Sequence, residues 1–446
     1  MTDTEIYYKK MTETPLTRLI VSLGIPTTIS MLVTNIYNMA DTYFVGTLGE
    51  SQQAATGILF TLQAIIQAIA FMLGQGSGTL VSKALADKNR QEASRFVSSG
   101  FYIGLSAGIL MQIFGILFLE PFMLSLGSTQ TILPYAKQYG LCVLASCPLV
   151  IGSFVLNNNL RYEGKAFYSM IGLVSGGIIN ILGDFLLVIV FDFGVLGAGI
   201  ATAVSQSISF FLLLYFFNKK AQSKISIRYI SRDIKEYLSI CKVGFPALIR
   251  QGLSSLSGGI LNNLTRPYGD AAIAAMSVVN RFTGFVMCVG LGIGQGFQPV
   301  ASFNYQAKKY ARVKRALAIT MLIGFCFISL LALPAIIFSK EIIYLFQKSP
   351  EVIKIGTAAL RYSCVGVVFL CLSVPVNMLY QSIRKPLMSS FLSLLRSGLM
   401  LIPLLLITTS LWGLLGIQLS QPLADILTGL TSIPFIIGFM KKMKVI

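Results

Sequence analysis

The chain has 446 residues, 54% of them hydrophobic and only 12% charged, with a mean hydropathy of +0.75. A soluble protein carries about twice that charged fraction, so the composition excludes an ordinary globular domain and points to a polytopic membrane protein. The net charge of +18 does not indicate nucleic-acid binding, because the basic residues stand in short loops between apolar runs, where they act as topology signals.

The chain contains no histidine, which removes His-based metal sites, catalytic triads and imidazole relays. Its seven cysteines lack CxxC spacing and nearly all lie in apolar runs, where they read as small buried hydrophobes. The polar start MTDTEIYYKKMTETPLTR has no short apolar core with a cleavage site, so the first span is expected to stay in the protein.

Taken in order, the apolar runs predict twelve transmembrane helices, at about 16–45, 54–81, 96–119, 135–158, 167–191, 196–217, 236–263, 271–300, 316–338, 357–381, 387–408 and 413–439. The first contains Asp41. The second ends in Gly74, Gly76 and Gly78, a spacing for close helix packing and not a phosphate loop. The fifth contains Asn180 and Asp184, one turn apart and therefore on one face. The last contains Asp425, with no evident partner. A carboxylate at membrane depth marks an ion or substrate pathway by default, because its charge is costly there unless it is paired, hydrated or protonated.

The loops after the even-numbered spans, together with both tails, hold most of the Lys and Arg. Examples are Lys83 to Arg95, Lys308 to Arg315 and the C-terminal Lys441, Lys442 and Lys444. Both termini are therefore expected to be cytoplasmic. The chain also repeats itself at an offset of 220: Gly24-Ile25-Pro26 with Gly244-Phe245-Pro246, Gly74-Gln75-Gly76 with Gly294-Gln295-Gly296, and Asn157 with Asn377. Six spans per half make the repeat parallel, with a pseudo-two-fold axis along the membrane normal. The expected fold is all-α: an N-terminal six-helix bundle (1–217), a cytoplasmic linker (218–236) and a C-terminal six-helix bundle (237–446), facing one another across a cleft.

This organisation resembles the multidrug and toxic-compound extrusion (MATE) family, in its DinF-like and MepA-like bacterial branch. The resemblance covers essentially the whole chain. It is carried by NMADTYFVG at 38–46, GQGSGTLVSKALADKN at 74–89, NILGD at 180–184, VLGAGIATAVSQ at 195–206, GLGIGQGFQPVASFNYQAKKYARV at 290–313 and QSIRKPLMSSFLSLLR at 381–396. It implies a secondary active multidrug exporter that antiports H⁺ or Na⁺ against organic, mostly cationic and aromatic compounds by alternating access. It also implies a cation-coupling site in the N-terminal half at Asp41, Asn180, Asp184 and Thr202, which would be metal ligands only if the ion is Na⁺. The NorM-like branch adds acids in the seventh and tenth spans; here those spans have none, and the repeat pairs Asp41 with Leu261 and Asp184 with Leu404. No cofactor or nucleic-acid partner is implied. The expected state is a monomer in the bilayer of a bacterial cytoplasmic membrane.

Polar groups and methionines inside the spans are candidates for the substrate cleft: Tyr37, Gln63, Gln67, Asn157, Gln251, Asn262, Asn280, Gln295, Met31 and Met287. Polar side chains often bind membrane helices together, and methionines often simply fill space. Arg250, Arg281 and Arg396 are intramembrane cations that are either paired or reach to the interface. The alternatives are a lipid-linked precursor flippase of the same superfamily, a membrane-embedded enzyme, and a sensor. Twelve spans and two central acids weigh against the flippase. The lack of His, a metal-ligand cluster or a nucleophile–base pair weighs against the enzyme.

Overall fold

A computed structural model describes residues 3–442; Lys444 lies outside them. Among the described residues all regular structure is helical. The first half comprises α1 (Asp3–Glu13), α2 (Leu16–Gly46), α3 (Glu50–Ala86), α4 (Arg90–Leu117), α5 (Leu119–Ser125), α6 (Leu133–Tyr162), α7 (Ala166–Asp184) and α8 (Gly194–Lys220). The second comprises α9 (Ile234–Thr265), α10 (Asp270–Gln306), α11 (Tyr310–Ile337), α12 (Ser339–Phe346), α13 (Pro350–Val367), α14 (Leu370–Ser382), α15 (Pro386–Leu394), α16 (Leu401–Trp412) and α17 (Leu414–Lys442). A π-helical turn, Phe185–Val190, follows α7, and another, Leu395–Met400, joins α15 to α16.

Among the described residues ten helical segments are long and apolar enough to cross a membrane, counting α7 with its π-helical turn as one and α15–α16 with theirs as another, and the pair α13–α14 makes an eleventh that is bent by 46°. The bend interrupts the predicted tenth span. Pro375 lacks an N–H, and its ring crowds the carbonyl four residues earlier. Just before it the chain tightens into three-residue bonds from Cys371 N to Val368 O and from Leu372 N to Phe369 O, at 3.2 and 3.1 Å. The predicted seventh span is α9, a 32-residue helix that is less apolar than the others because Lys242, Arg250 and Gln251 interrupt it. Leu110, Phe114, Leu117, Leu322, Leu330 and Leu333 project outward from α4 and α11, as side chains solvated by lipid tails do.

The 220-residue repeat is visible in backbone and side chains. Helices α3 and α10 both have 37 residues, and α4 and α11 both have 28. Gly49 and Gly269 precede α3 and α10 with φ of 142° and 86°, a region open to glycine. Lys88 and Lys308 turn the next corners with φ of 59° and 57°. Asn157 donates to the Ser169 carbonyl at 3.2 Å and Asn377 to the Ser389 carbonyl at 2.8 Å, each tying consecutive helices across a tight turn.

The chain forms two compact units. Of the described residues, the first gathers 3–10 with Ile29–Gln251; the second gathers Met11–Thr28 with 252–442. In the first unit α6 packs against α3, α4, α7 and α8. The glycine spacing at the end of α3 serves packing: Gly76 lies against the backbone of Ile240 on α9, and Gly244 against that of Met72, so a side chain at either would collide with main chain. In the second unit α10 packs against α11, α13 and α14, and Gly296 is in backbone contact with Gly24 of α2.

The end of α6 differs from the expected loop. The helix continues to Tyr162, so Arg161 is fully buried, and its guanidinium donates to Asn158 Oδ1 at 2.6 Å. The first residue after the helix, Glu163, is also fully buried; its carboxylate accepts from Gln222 N, Ser223 N and Ser223 Oγ, fastening the start of the linker. Burial pushes the Glu163 carboxyl up to about 7, against the opposing pull of those hydrogen bonds.

Candidate functional site

Four helices of the first unit converge on one polar cluster. Helix α2 supplies Asp41, α7 supplies Asn180 and Asp184, α8 supplies Thr202 and α6 supplies Tyr139. All five are buried; Asp184 is 0% and Asp41 3% exposed. The four sequence-predicted coupling residues therefore lie within one bundle, with a tyrosine added to them.

The hydrogen bonds run in one direction. The Tyr139 hydroxyl donates to Oδ2 of Asp41 at 2.7 Å. Its only proton is then committed, so at its 3.2 Å contact with Thr202 Oγ1 the threonine is the donor. Thr202 Oγ1 in turn accepts from Asn180 Nδ2 at 3.2 Å. The chain from Asn180 through Thr202 and Tyr139 fixes one face of the Asp41 carboxylate.

Acceptors without protein donors remain. Asp41 Oδ1, Asn180 Oδ1 and both oxygens of Asp184 are buried and have no hydrogen-bond partner. Asp184 stands one helical turn from Asn180 on α7. Unsatisfied buried acceptors are costly, and ionised ones far more so. Each can be satisfied by a proton on the carboxyl or by a small cation, and the all-oxygen donor set is the kind hard cations take. Asp184 is also the last residue before the π-helical turn Phe185–Val190, a local geometry frequent at functional sites.

Beside this cluster lies a cavity of about 20 Å³, roomy enough for about one water by the usual measure. Tyr37, Gln63, Gln67, Ser146, Thr202 and Gln206 contribute to its wall. Tyr37 Oη accepts from Gln206 Nε2 at 3.3 Å. Three predicted cleft residues thus meet at one place. Asn157 lies elsewhere, its amide bound to Ser169. Met31 and Gln251 are partly buried on α2 and α9.

In the second unit Asn280 and Met287 line a separate cavity. Gln295 is buried on α10 and Asn262 is exposed on α9. Leu261 belongs to the apolar core and Leu404 packs against it, so the repeat partners of the two acids are ordinary packing residues. Asp425 has a partner after all: Arg396 Nε lies 2.7 Å from its Oδ1. Arg250 donates to Gln75 Oε1 at 3.4 Å, and Arg281 is exposed.

Sequence reasoning missed Tyr139 and gave Gln206 no role of its own. The available signal for Tyr139 was a hydroxyl inside a long apolar run, since a buried tyrosine O–H requires an acceptor. Nothing local in the sequence identified that acceptor as Asp41, which is distant along the chain.

Helices of this length and a buried two-carboxylate site define a multi-pass membrane protein of the transporter kind. The MatE family model matches residues 26–186 and 246–407, and the chain belongs to that family. Multidrug export protein MepA of Staphylococcus saprophyticus is 27% identical over 436 residues, covering 97% of this chain and 95% of that relative. MepA of Staphylococcus aureus is 27% identical over 437 residues with the same coverage. Among solved structures, a MATE protein in complex with MaL6 shares the fold at a TM-score of 0.93 and 22% identity, covering 100% of both chains. A MOP superfamily transporter from Pyrococcus furiosus shares it at 0.91 and 22% identity, covering 100% of this chain and 99% of that one.

Proposed function

We propose that this protein is a secondary active multidrug exporter that moves organic, mostly cationic and aromatic compounds outward in exchange for H⁺ or Na⁺ moving inward. The observation that carries the reading is the set of buried, unpartnered oxygens on Asp41, Asn180 and Asp184 inside one helical unit. The names of the MepA relatives support the substrate class. The coupling ion is itself a substrate, and Asp41, Asn180, Asp184 and Thr202 are the residues proposed to receive it.

Cation and drug must favour different states for exchange to occur. Loading a proton or Na⁺ lowers the charge of the Asp41–Asp184 pair by one and relieves its repulsion, so the loaded site tolerates a packing that the charged site does not. Tyr139 and Asn180, linked through Thr202, hold the Asp41 carboxylate in one orientation while its other oxygen takes the cation. A negatively charged, unloaded site favours a cationic drug, and loading weakens that attraction. The two buried carboxylates weigh against the lipid-linked precursor alternative, whose cleft is expected to be strongly cationic.

The proposed setting is a bacterial cytoplasmic membrane, with the protein a monomer; both termini are proposed to be cytoplasmic, as the distribution of Lys and Arg supports. The test is efflux from proteoliposomes under an imposed pH gradient and, separately, an imposed Na⁺ gradient. Flux driven by one of them, and lost in Asp41→Asn, is expected. Flux driven by neither contradicts the reading.

A further inference from the structure

The second unit contains a cavity of about 220 Å³ whose chemistry is opposite to that of the acid pair. Its polar wall includes Ser254, Ser257, Asn280, Thr283, Arg396 and Gln421. It has no carboxylate. Asp425 stands behind Arg396, 3% exposed, and contacts it through one oxygen and Nε, not as a two-point fork. The guanidinium's Nη1 is directed to the sulfur of Met287 at 3.2 Å, a weak acceptor. The charge of Arg396 is thus balanced from behind, while its edge faces the cavity with only a soft neighbour.

A buried ion pair contributes little net stability, because desolvating two charges offsets their attraction. Two ionisable side chains inside the same membrane-crossing bundle therefore call for a role in binding. Arg396 also lies in the π-helical turn Leu395–Met400, which displaces its side chain from the regular helical register. The volume falls below the roughly 300 Å³ at which a pocket engulfs a drug-sized ligand. It is suited to one end of a compound. Leu261, Leu401 and Met287 complete the lining with apolar surface.

We propose that this cavity is a subsite for the carboxylate end of aromatic compounds, with Arg396 as the anion-recognising residue and the surrounding hydroxyls and amides as secondary donors. It rests on the exporter reading only in treating the bound compound as cargo. It gives the protein two recognition regions of opposite sign, so that compounds carrying both an amine and an acid are accommodated as well as simple cations.

The test is equilibrium dialysis of the purified full chain in lipid nanodiscs, with empty nanodiscs as the blank. The probes are 4-(dimethylamino)benzoate and its methyl ester. The acid is expected to bind at least tenfold more tightly than the ester, and Arg396→Gln is expected to remove that preference. Because Arg396→Gln leaves Asp425 without its ion pair, Gly284→Leu is a second variant. Gly284 borders the cavity and has open space where a side chain would start, so the leucine should fill the cavity, keep the fold and abolish binding of the acid. Equal binding of both probes, binding of neither, or a preference that survives in both variants overturns the subsite. Efflux of ethidium from proteoliposomes under a cation gradient is measured alongside. Lost efflux with the acid preference intact counts against the exporter reading alone, and intact efflux without the preference counts against the subsite alone.

Discussion

The Tyr139 hydroxyl donates to one oxygen of Asp41 at 2.7 Å, while the other oxygen of that carboxylate is buried without a partner. The tyrosine orients the acid without satisfying it. A hydrogen bond to a charged group contributes about 1.5–3 kcal/mol, which corresponds to about a tenfold to hundredfold change in an equilibrium constant. Tyr139→Phe should therefore reduce cation-driven efflux by about tenfold or more while leaving the protein folded. Initial rates in proteoliposomes check this, and a wild-type rate would show that the hydroxyl has no part in coupling.

Asp41→Asn and Asp184→Asn should each abolish drug resistance in cells without lowering the amount of protein in the membrane. Both acids are buried in the first unit with unpartnered oxygens, so a neutral, isosteric amide keeps the volume and removes the titratable or cation-binding group. Immunoblots of membranes together with growth in drug separate loss of function from loss of protein. Export at the wild-type rate in both variants would remove the proposed coupling site.

The account of the second unit predicts an asymmetry. Asp425→Asn should retain cation-coupled efflux, because Asp425 pairs with Arg396 at 2.7 Å and not with the first-unit acids. It should nevertheless lower the apparent melting temperature, since removing one partner of a buried ion pair costs about 3–5 kcal/mol. Replacing both partners together, Arg396→Met with Asp425→Leu, should recover most of that loss. A double variant as unstable as the single one would mean the pair matters for packing in some other way.

Much of this arrangement was legible in the sequence. Asp41, Asn180 and Asp184 declared themselves as polar residues in apolar runs, and the structure gathers them with Thr202 in one cluster. The 220-residue offset reappears as matched helices, matched positive-φ corners and the Asn157 and Asn377 ties. What was not legible depends on contacts between distant segments. Tyr139 has no sequence signal for its acceptor, Asp425 none for Arg396, and Arg161 reads as a loop charge until α6 is seen to continue past it. The break between α13 and α14 falls a few residues before Pro375, but Pro148 and Pro299 lie inside unbroken helices, so a proline in an apolar run did not by itself mark it.

Glu163 gives a pH prediction outside the spans. Its carboxyl is held up at about 7, from an ordinary 4.5, chiefly by burial. A carboxyl whose folded value is raised binds its proton more tightly in the native state, so stability is highest below about 4.5 and is lost as pH rises to about 7. The apparent melting temperature of the wild type should therefore fall between pH 5 and pH 7. Glu163→Gln, which cannot ionise, should flatten that fall by at least about 2 °C. Identical slopes in the two proteins would show that Glu163 is not the titrating group.

The central claim is that the Asp41–Asp184 pair is where cation and drug communicate. Drug affinity of the purified protein, measured across pH and across Na⁺ concentration, tests it most directly when wild type is compared with the Asp41→Asn/Asp184→Asn double variant. The account predicts that affinity in the wild type weakens as the coupling cation is raised, by lowering pH or by adding Na⁺, and that affinity in the double variant is flat. A cation dependence that survives unchanged in the double variant would contradict the claim and place coupling elsewhere in the chain.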